Sequence, residues 1–409
     1  MQGCGLSVRR RKYRALRKGV NSAADTSDTV RFNRNSFVVK FIRSVAIAWV
    51  ISVIFSANSF CRAENINAYD EIYSVSGADE FDDALDSDVK DFLDEFNISI
   101  DNPSSLADFN GYDLIIKLIE KSLNDMNSPI FLLSSVCIMS VIYAVIFNAT
   151  PEKEGSLTTY FLPCASTVLA AMSLVEVISY SARAVSSCSV FMLSFIPVYA
   201  GVLISGGKPA TGGAYSALMF TVSQTFCAVA DRLIVPLCGS MMIASIGSAF
   251  NELCGRIGEM LKKAAVTVIT LCMTVFTFVL GLQTAISSVS DSVAIKTTKA
   301  AIGSFVPIVG SSLSESLSVI LGSVSLFKST VGVYAMICLA VMIVPSLVSV
   351  LAYKAVLSIL CAVTQSIGAG STAKLLGMMN GVLTVLMCVL LCSAVVYIVS
   401  VAITLSVGG

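Results

Sequence analysis

Four ionisable side chains stand in stretches otherwise apolar enough to cross a bilayer: Glu176, Asp231, Glu315 and Lys328. A charge at that depth is costly, so it pairs, lines a wet pathway or carries a coupling proton or ion. Glu176 has Arg183 two helical turns away, while Asp231 has Arg232 beside it and Glu315 or Lys328 as more distant partners. The competing explanation is that Arg183, Arg232, Lys328 and Lys354 lie at span ends and snorkel to water. Glu176 and Glu315 resist it, because a short acid cannot reach far.

Little other chemistry is available. The chain has no histidine, which removes the commonest metal ligand and general base. Most of its 13 cysteines lie inside apolar runs and none makes a Cys-x-x-Cys pair, so they read as small hydrophobes rather than zinc ligands or a disulfide framework. Cys388 and Cys392 lie one turn apart and read as helix packing. Gly206 to Gly213 reads as a flexible loop, and it lacks the Gly-Lys-Ser/Thr order of a phosphate-binding loop. No Gly-x-Ser-x-Gly elbow occurs. The reading is of a non-enzyme with no catalytic residue, no metal and no cofactor.

The elements that hold these charges are membrane helices. Mean hydropathy is +0.82 and charged residues are 13% of the chain, most of them before Asn127. Runs such as 330–350 and 378–407 exceed the roughly 20 apolar residues that cross a hydrocarbon core about 30 Å thick. Residues 127–409 are therefore expected to be a polytopic transmembrane domain with about seven to nine crossings. Expected spans include 129–147, 157–180, 185–205, 264–287 and 330–352, with 214–230 and 233–250 as two spans or one plus a re-entrant segment. Pro197, Pro236, Pro307 and Pro345 are candidate helix breaks, tolerated only where protein or a wet cavity covers the freed backbone. Lipid gives helices no hydrophobic reason to associate, so the recurring Ser, Gly and Ala supply close packing.

The charge before Asn127 is segregated, although formal net charge is +0. Residues 1–43 carry Arg9, Arg10, Arg11, Lys12, Arg14, Arg17 and Lys18 among eleven cations, against Asp25 and Asp28. The apolar stretch 44–55 follows, then small residues. This is the pattern of an N-terminal signal sequence, cleaved near 59 or 63 or retained as an anchor. The Lys/Arg excess holds the leader in the cytoplasm, so 64–126 is delivered to the other side. A basic tail without interleaved aromatics does not indicate nucleic acid. In 64–126, Phe81, Leu85, Val89, Phe92, Leu93 and Phe96 share one helical face, as do Leu114, Ile115, Leu118, Ile119 and Leu123. Asn102-Pro103 breaks the chain between them. So short a segment buries little surface alone and is expected to pack on the membrane domain or on a partner. Its acids read as a solvated face or as a docking surface for a basic partner. The fold class is thus all-α: a polytopic integral membrane helical bundle preceded by a basic leader and signal sequence (1–63) and a small acidic extracytoplasmic helical segment (64–126).

One stretch is more specific. Ile295-Lys296-Thr297-Thr298-Lys299-Ala300-Ala301-Ile302-Gly303-Ser304-Phe305-Val306-Pro307-Ile308-Val309-Gly310, continuing to Leu326-Phe327-Lys328-Ser329-Thr330-Val331-Gly332-Val333, resembles the stage III sporulation protein AE family. So do Phe195-Ile196-Pro197 leading to Ser205-Gly206-Gly207, Ile234-Val235-Pro236-Leu237 and Ala352-Tyr353-Lys354. The resemblance runs from about Phe131 to the C-terminus, and the long arginine-rich leader and many cysteines depart from the family's plan. It implies a multi-pass protein of the mother-cell membrane around the forespore. It further implies a subunit of a channel complex that links the two cells and supports late forespore development. Its partners would be the lipid bilayer, other integral sporulation-complex proteins and a separate cytoplasmic ATPase, since this chain has no nucleotide motif of its own. The family carries no catalytic residues to transfer. The alternative from the residues alone is an autonomous secondary transporter using intramembrane acids.

Overall fold

The computed structural model describes residues 84–100, 111–124, 127–149, 157–205, 209–248, 250–305 and 310–406. The expected signal sequence and basic leader lie outside these residues, as do Asn102-Pro103 and Pro307. Every regular element among the described residues is helical. Two short helices come first, α1 (Ser87–Glu95) and α2 (Gly111–Asn124), followed by α3 (Asn127–Ala149) and α4 (Leu157–Ser205). Next come α5 (Pro209–Val229), a π-helical turn (Ala230–Ile234) and α6 (Val235–Gly247). The chain ends with α7 (Glu252–Phe305), α8 (Gly310–Ser366) and α9 (Gly370–Ser406). All described residues belong to one unit, Ser52–Gly409.

Among the described residues five stretches are long and apolar enough to cross a membrane: Pro163–Val202, Ala217–Gly247, Glu252–Val279, Phe327–Ser366 and Gly370–Ala402. A shorter apolar helix, Pro129–Tyr143, accompanies them. This is a multi-pass helical membrane bundle, as composition requires. The division of the chain differs from the sequence expectation. Residues 157–180 and 185–205 form one helix of 49 residues, about 74 Å if straight. Polar side chains between the two apolar halves change what surrounds the helix. They do not change its backbone, because Ser, Ala and Arg accept helical dihedrals and keep the N–H that closes each turn. Lys354 fails to interrupt α8 for the same reason. Pro209 to Gly213, expected in a flexible loop, open α5 instead, with Pro at the first position where a missing N–H costs nothing.

The middle of the bundle is α8 against α9, flanked by α4. From Val331 to Val344 every α8 residue is buried, the condition of a helix apolar on all sides and surrounded by protein. The α8–α9 hairpin turns through a Schellman motif. Gly368 takes φ +91, its N–H donates to Gln365 O, and Ala369 N–H donates to Thr364 O. Asn251 caps α7 by accepting from Leu253 N–H at 2.9 Å. Most of the amphipathic pattern of the polar segment appears as expected. Leu85 just before the first helix, Val89, Phe92 and Leu93 within it, and Leu114 and Leu118 of the second are buried, whereas Ile119 is exposed.

Candidate functional site

Asp86 is the N-cap of α1, yet its carboxylate does not cap that helix. It accepts instead from Ser187 Oγ of α4 at 2.6 Å, tying the acidic segment to the membrane bundle across 101 residues of chain. α1 and α2 are held to each other by aromatic rings under lysines. Lys117 Nζ lies 4.4 Å from the Phe96 ring and Lys121 Nζ 5.3 Å from that of Phe92, with the two rings 4.9 Å apart. Both short helices pack on α8.

Where they meet α4 and α8, a cavity of about 900 Å³ is walled by charged and aromatic side chains. Asp86, Asp88 and Asp91 line it from the α1 end, and Lys121 from α2. Glu176, Tyr180, Arg183 and Ser187 line it from α4, spaced three or four apart as one helical face demands. Val341, Pro345, Ser349 and Tyr353 form the α8 wall with the same spacing. Beneath it, Ser346 Oγ donates to Ser181 Oγ at 3.1 Å, a buried bond joining α8 to α4. Glu176 and Arg183 are both exposed within this site, and seven residues of helix set them about 10 Å apart along the axis. They share a wall without forming an ion pair.

The other residues singled out in the sequence are dispersed. Asp231 lies in the π-helical turn, is exposed, and accepts from Cys227 Sγ at 3.5 Å. That turn has a local cause: Pro236 lacks an N–H and its ring would strike the carbonyl of Arg232 in a regular α-helix. The wider i→i+5 register, seen as Val235 N–H donating to Ala230 O, relieves the clash without ending the helix. The helix also continues through Pro197 and Pro345, so neither expected break interrupts it. Lys328 is buried at 7% exposure rather than extended to water. Glu315 belongs to α8, apart from the described side chains. The structure therefore brings Glu176, Arg183 and Pro345 together and leaves Asp231 outside the cavity.

Sequence reasoning missed Asp86, Tyr180, Ser187 and Tyr353 as members of one site. The i, i+4, i+7 spacing of Glu176, Tyr180 and Arg183, running on to Ser187, was a readable signal for a polar stripe on an apolar helix. Chemically, the site can hold water, polar side chains or small ions. Among the described residues no group of three or more acids and cysteines is placed to hold a metal ion.

Comparison with known proteins decides the family. A family model described as stage III sporulation protein AE matches residues 102–408. The chain belongs to the stage III sporulation protein AE family. It is 21% identical over 274 residues to the stage III sporulation protein AE of Bacillus subtilis (strain 168), covering 66% of this chain and 69% of that protein. No solved structure matches. Membership makes this a sporulation protein, in a family not known for enzymes. The matched region takes in the α4 and α8 walls of the cavity but begins after α1, so Asp86, Asp88 and Asp91 lie before it.

Proposed function

We propose that this chain is a non-enzymatic membrane subunit of a multiprotein channel complex that links mother cell and forespore and sustains late forespore development. It works in the mother-cell membrane, with other integral sporulation proteins and a separate cytoplasmic ATPase as partners. The observation that carries this reading is the family match, which covers nearly the whole polytopic part of the chain. The charged cavity under α1 and α2 supports it, because an extracytoplasmic segment anchored on the bundle is suited to meeting partners beyond the membrane. A clean deletion strain is expected to stall after engulfment and yield few heat-resistant spores. A normal spore yield would overturn the proposal.

A second reading rests on one specific observation, the exposed Glu176 of a membrane helix facing a cavity of about 900 Å³. On that reading the protein is an autonomous secondary transporter with Glu176 as a coupling group. Purified protein in liposomes would then show ion-coupled uptake that disappears in Glu176→Gln. Uptake that needs other proteins, or none at all, favours the subunit.

A further inference from the structure

We propose that Lys262 of α7 and Lys354 of α8 form a binding site for a phosphate group at the membrane–water boundary, occupied by the headgroup of an anionic phospholipid. The two ammonium groups reach the same turn of α9. Lys354 Nζ donates to Thr384 Oγ1 at 2.5 Å. Lys262 Nζ lies 3.4 Å from the point where a Cβ on Gly381 would stand, so the absence of a side chain there gives the lysine room to lie against α9. Gly381 and Thr384 are three residues apart and share one helical face. Three helices thus bring two positive charges to one spot.

Those helices offer few acids to neutralise them. After Glu315 the chain contains no Asp or Glu at all, so α9 and the rest of α8 offer no carboxylate. On α7 the nearest acid in sequence is Glu259, which is exposed and holds a contact of its own. The α5–α6 side contributes only Asp231, also exposed. Thr384 is already committed, since its hydroxyl donates to Asn380 O at 2.9 Å. Asn380 donates through Nδ2 to Ser358 Oγ at 3.1 Å and keeps a buried, unpartnered Oδ1. Thr384 holds the Lys354 head, and both ammonium groups keep further N–H donors for an anion.

The level of the site selects the anion. The uncharged run 264–290 of α7 begins just after Lys262-Lys263, the run 329–353 of α8 ends at Lys354, and α9 is uncharged throughout 375–406. Each run is long enough for a hydrocarbon core about 30 Å thick. Lys262 and Lys354 therefore stand where hydrocarbon gives way to headgroups, the depth at which lipid phosphates lie. Basic pockets between membrane helices recognise such headgroups. A zwitterionic headgroup brings its own cation to an already doubly positive site, so a net-anionic one is favoured.

The test uses the full chain purified in a neutral detergent, with thermal unfolding followed on addition of phosphatidylglycerol, phosphatidylcholine or inorganic phosphate. Phosphatidylglycerol is expected to raise Tm. Its apparent affinity should fall roughly fivefold for Lys262→Gln or Lys354→Gln and roughly twentyfivefold for both, at one screened charge each. Lys262→Arg should retain the affinity, and Lys263→Gln, on an exposed neighbour, should leave it unchanged. A lysine-dependent shift with inorganic phosphate alone would uphold the phosphate site and assign it a free anion instead of a lipid. Equal shifts with phosphatidylcholine, or full affinity in the double variant, would overturn the proposal. Should the glutamine variants not fold, the wild type's discrimination between the two lipids decides the matter on its own.

Discussion

The α8–α9 pair and α7 are both long and apolar, yet they are used in opposite ways. In α8 every residue from Val331 to Val344 is buried inside the protein, whereas between Glu252 and Val279 of α7 only Gly258, Ala265, Ile269 and Phe276 are. On α7, Leu271, Val275 and Phe278 face outward. In water such a stripe would mark a binding surface. In a bilayer it needs no partner, since lipid tails are as apolar as leucine. Hydrophobicity therefore puts a helix in the membrane, and packing against protein decides whether its residues matter individually. Leu390→Ala, fully buried in α9, is expected to cost roughly 2 kcal/mol. The cost is mostly that of the cavity left behind, because the removed atoms gain little from transfer out of lipid. Leu271→Ala, 64% exposed, should cost under about 0.5 kcal/mol. Thermal unfolding of the purified variants in one detergent compares them. Equal losses would mean that α7 is covered by something other than lipid.

A smaller effect sharpens the contrast at a buried polar joint between α4 and α8. Ser346→Ala leaves Ser181 buried without its partner and should cost about 1 kcal/mol, within the range for hydrogen bonds between membrane helices. The double variant with Ser181→Ala should cost less than the sum of the single changes, since no orphan remains. Strict additivity would show that the two hydroxyls do not interact. Gly368→Ala tests the hairpin instead. A φ of +91 is unfavourable for a residue with a Cβ, so a loss of about 1 kcal/mol is expected, with no change in which lipids stabilise the protein.

Much of this was legible in the sequence, and the failures share a cause. The faces Leu85–Val89–Phe92–Leu93 and Leu114–Leu118 were read correctly because burial on one side of a short helix leaves a period of 3.6. Membrane residence was read from apolar runs. The joining of 157–180 to 185–205 was not, because polarity at Arg183 or Lys354 reports surroundings while helix continuity depends on backbone hydrogen bonds. Pro345 misled in the same way: a proline weakens one turn but does not end a helix that neighbours hold from all sides. The cavity was half visible, through Glu176 and Arg183. Its closure by Asp86 depends on chain segments 101 residues apart, and no periodicity encodes that contact.

That contact yields the smallest expected effect and the one most informative about function. Ser187→Ala removes a single exposed hydrogen bond to Asp86, so the stability of the whole protein should change by less than about 0.5 kcal/mol. α1 should nevertheless loosen, because beyond this bond it is held by a few buried residues and two cation–π pairs to α2. A cysteine introduced at Asp88, in the cavity wall, reports this through its rate of labelling by a water-soluble maleimide in intact cells. The rate should rise when Ser187 is replaced, while Tm stays within a degree or two. An unchanged rate would mean that α1 is seated by its apolar face alone. The acidic segment would then be a fixed wall of the cavity, whereas faster labelling identifies it as the movable part, able to exchange its contact with α4 for one with a partner.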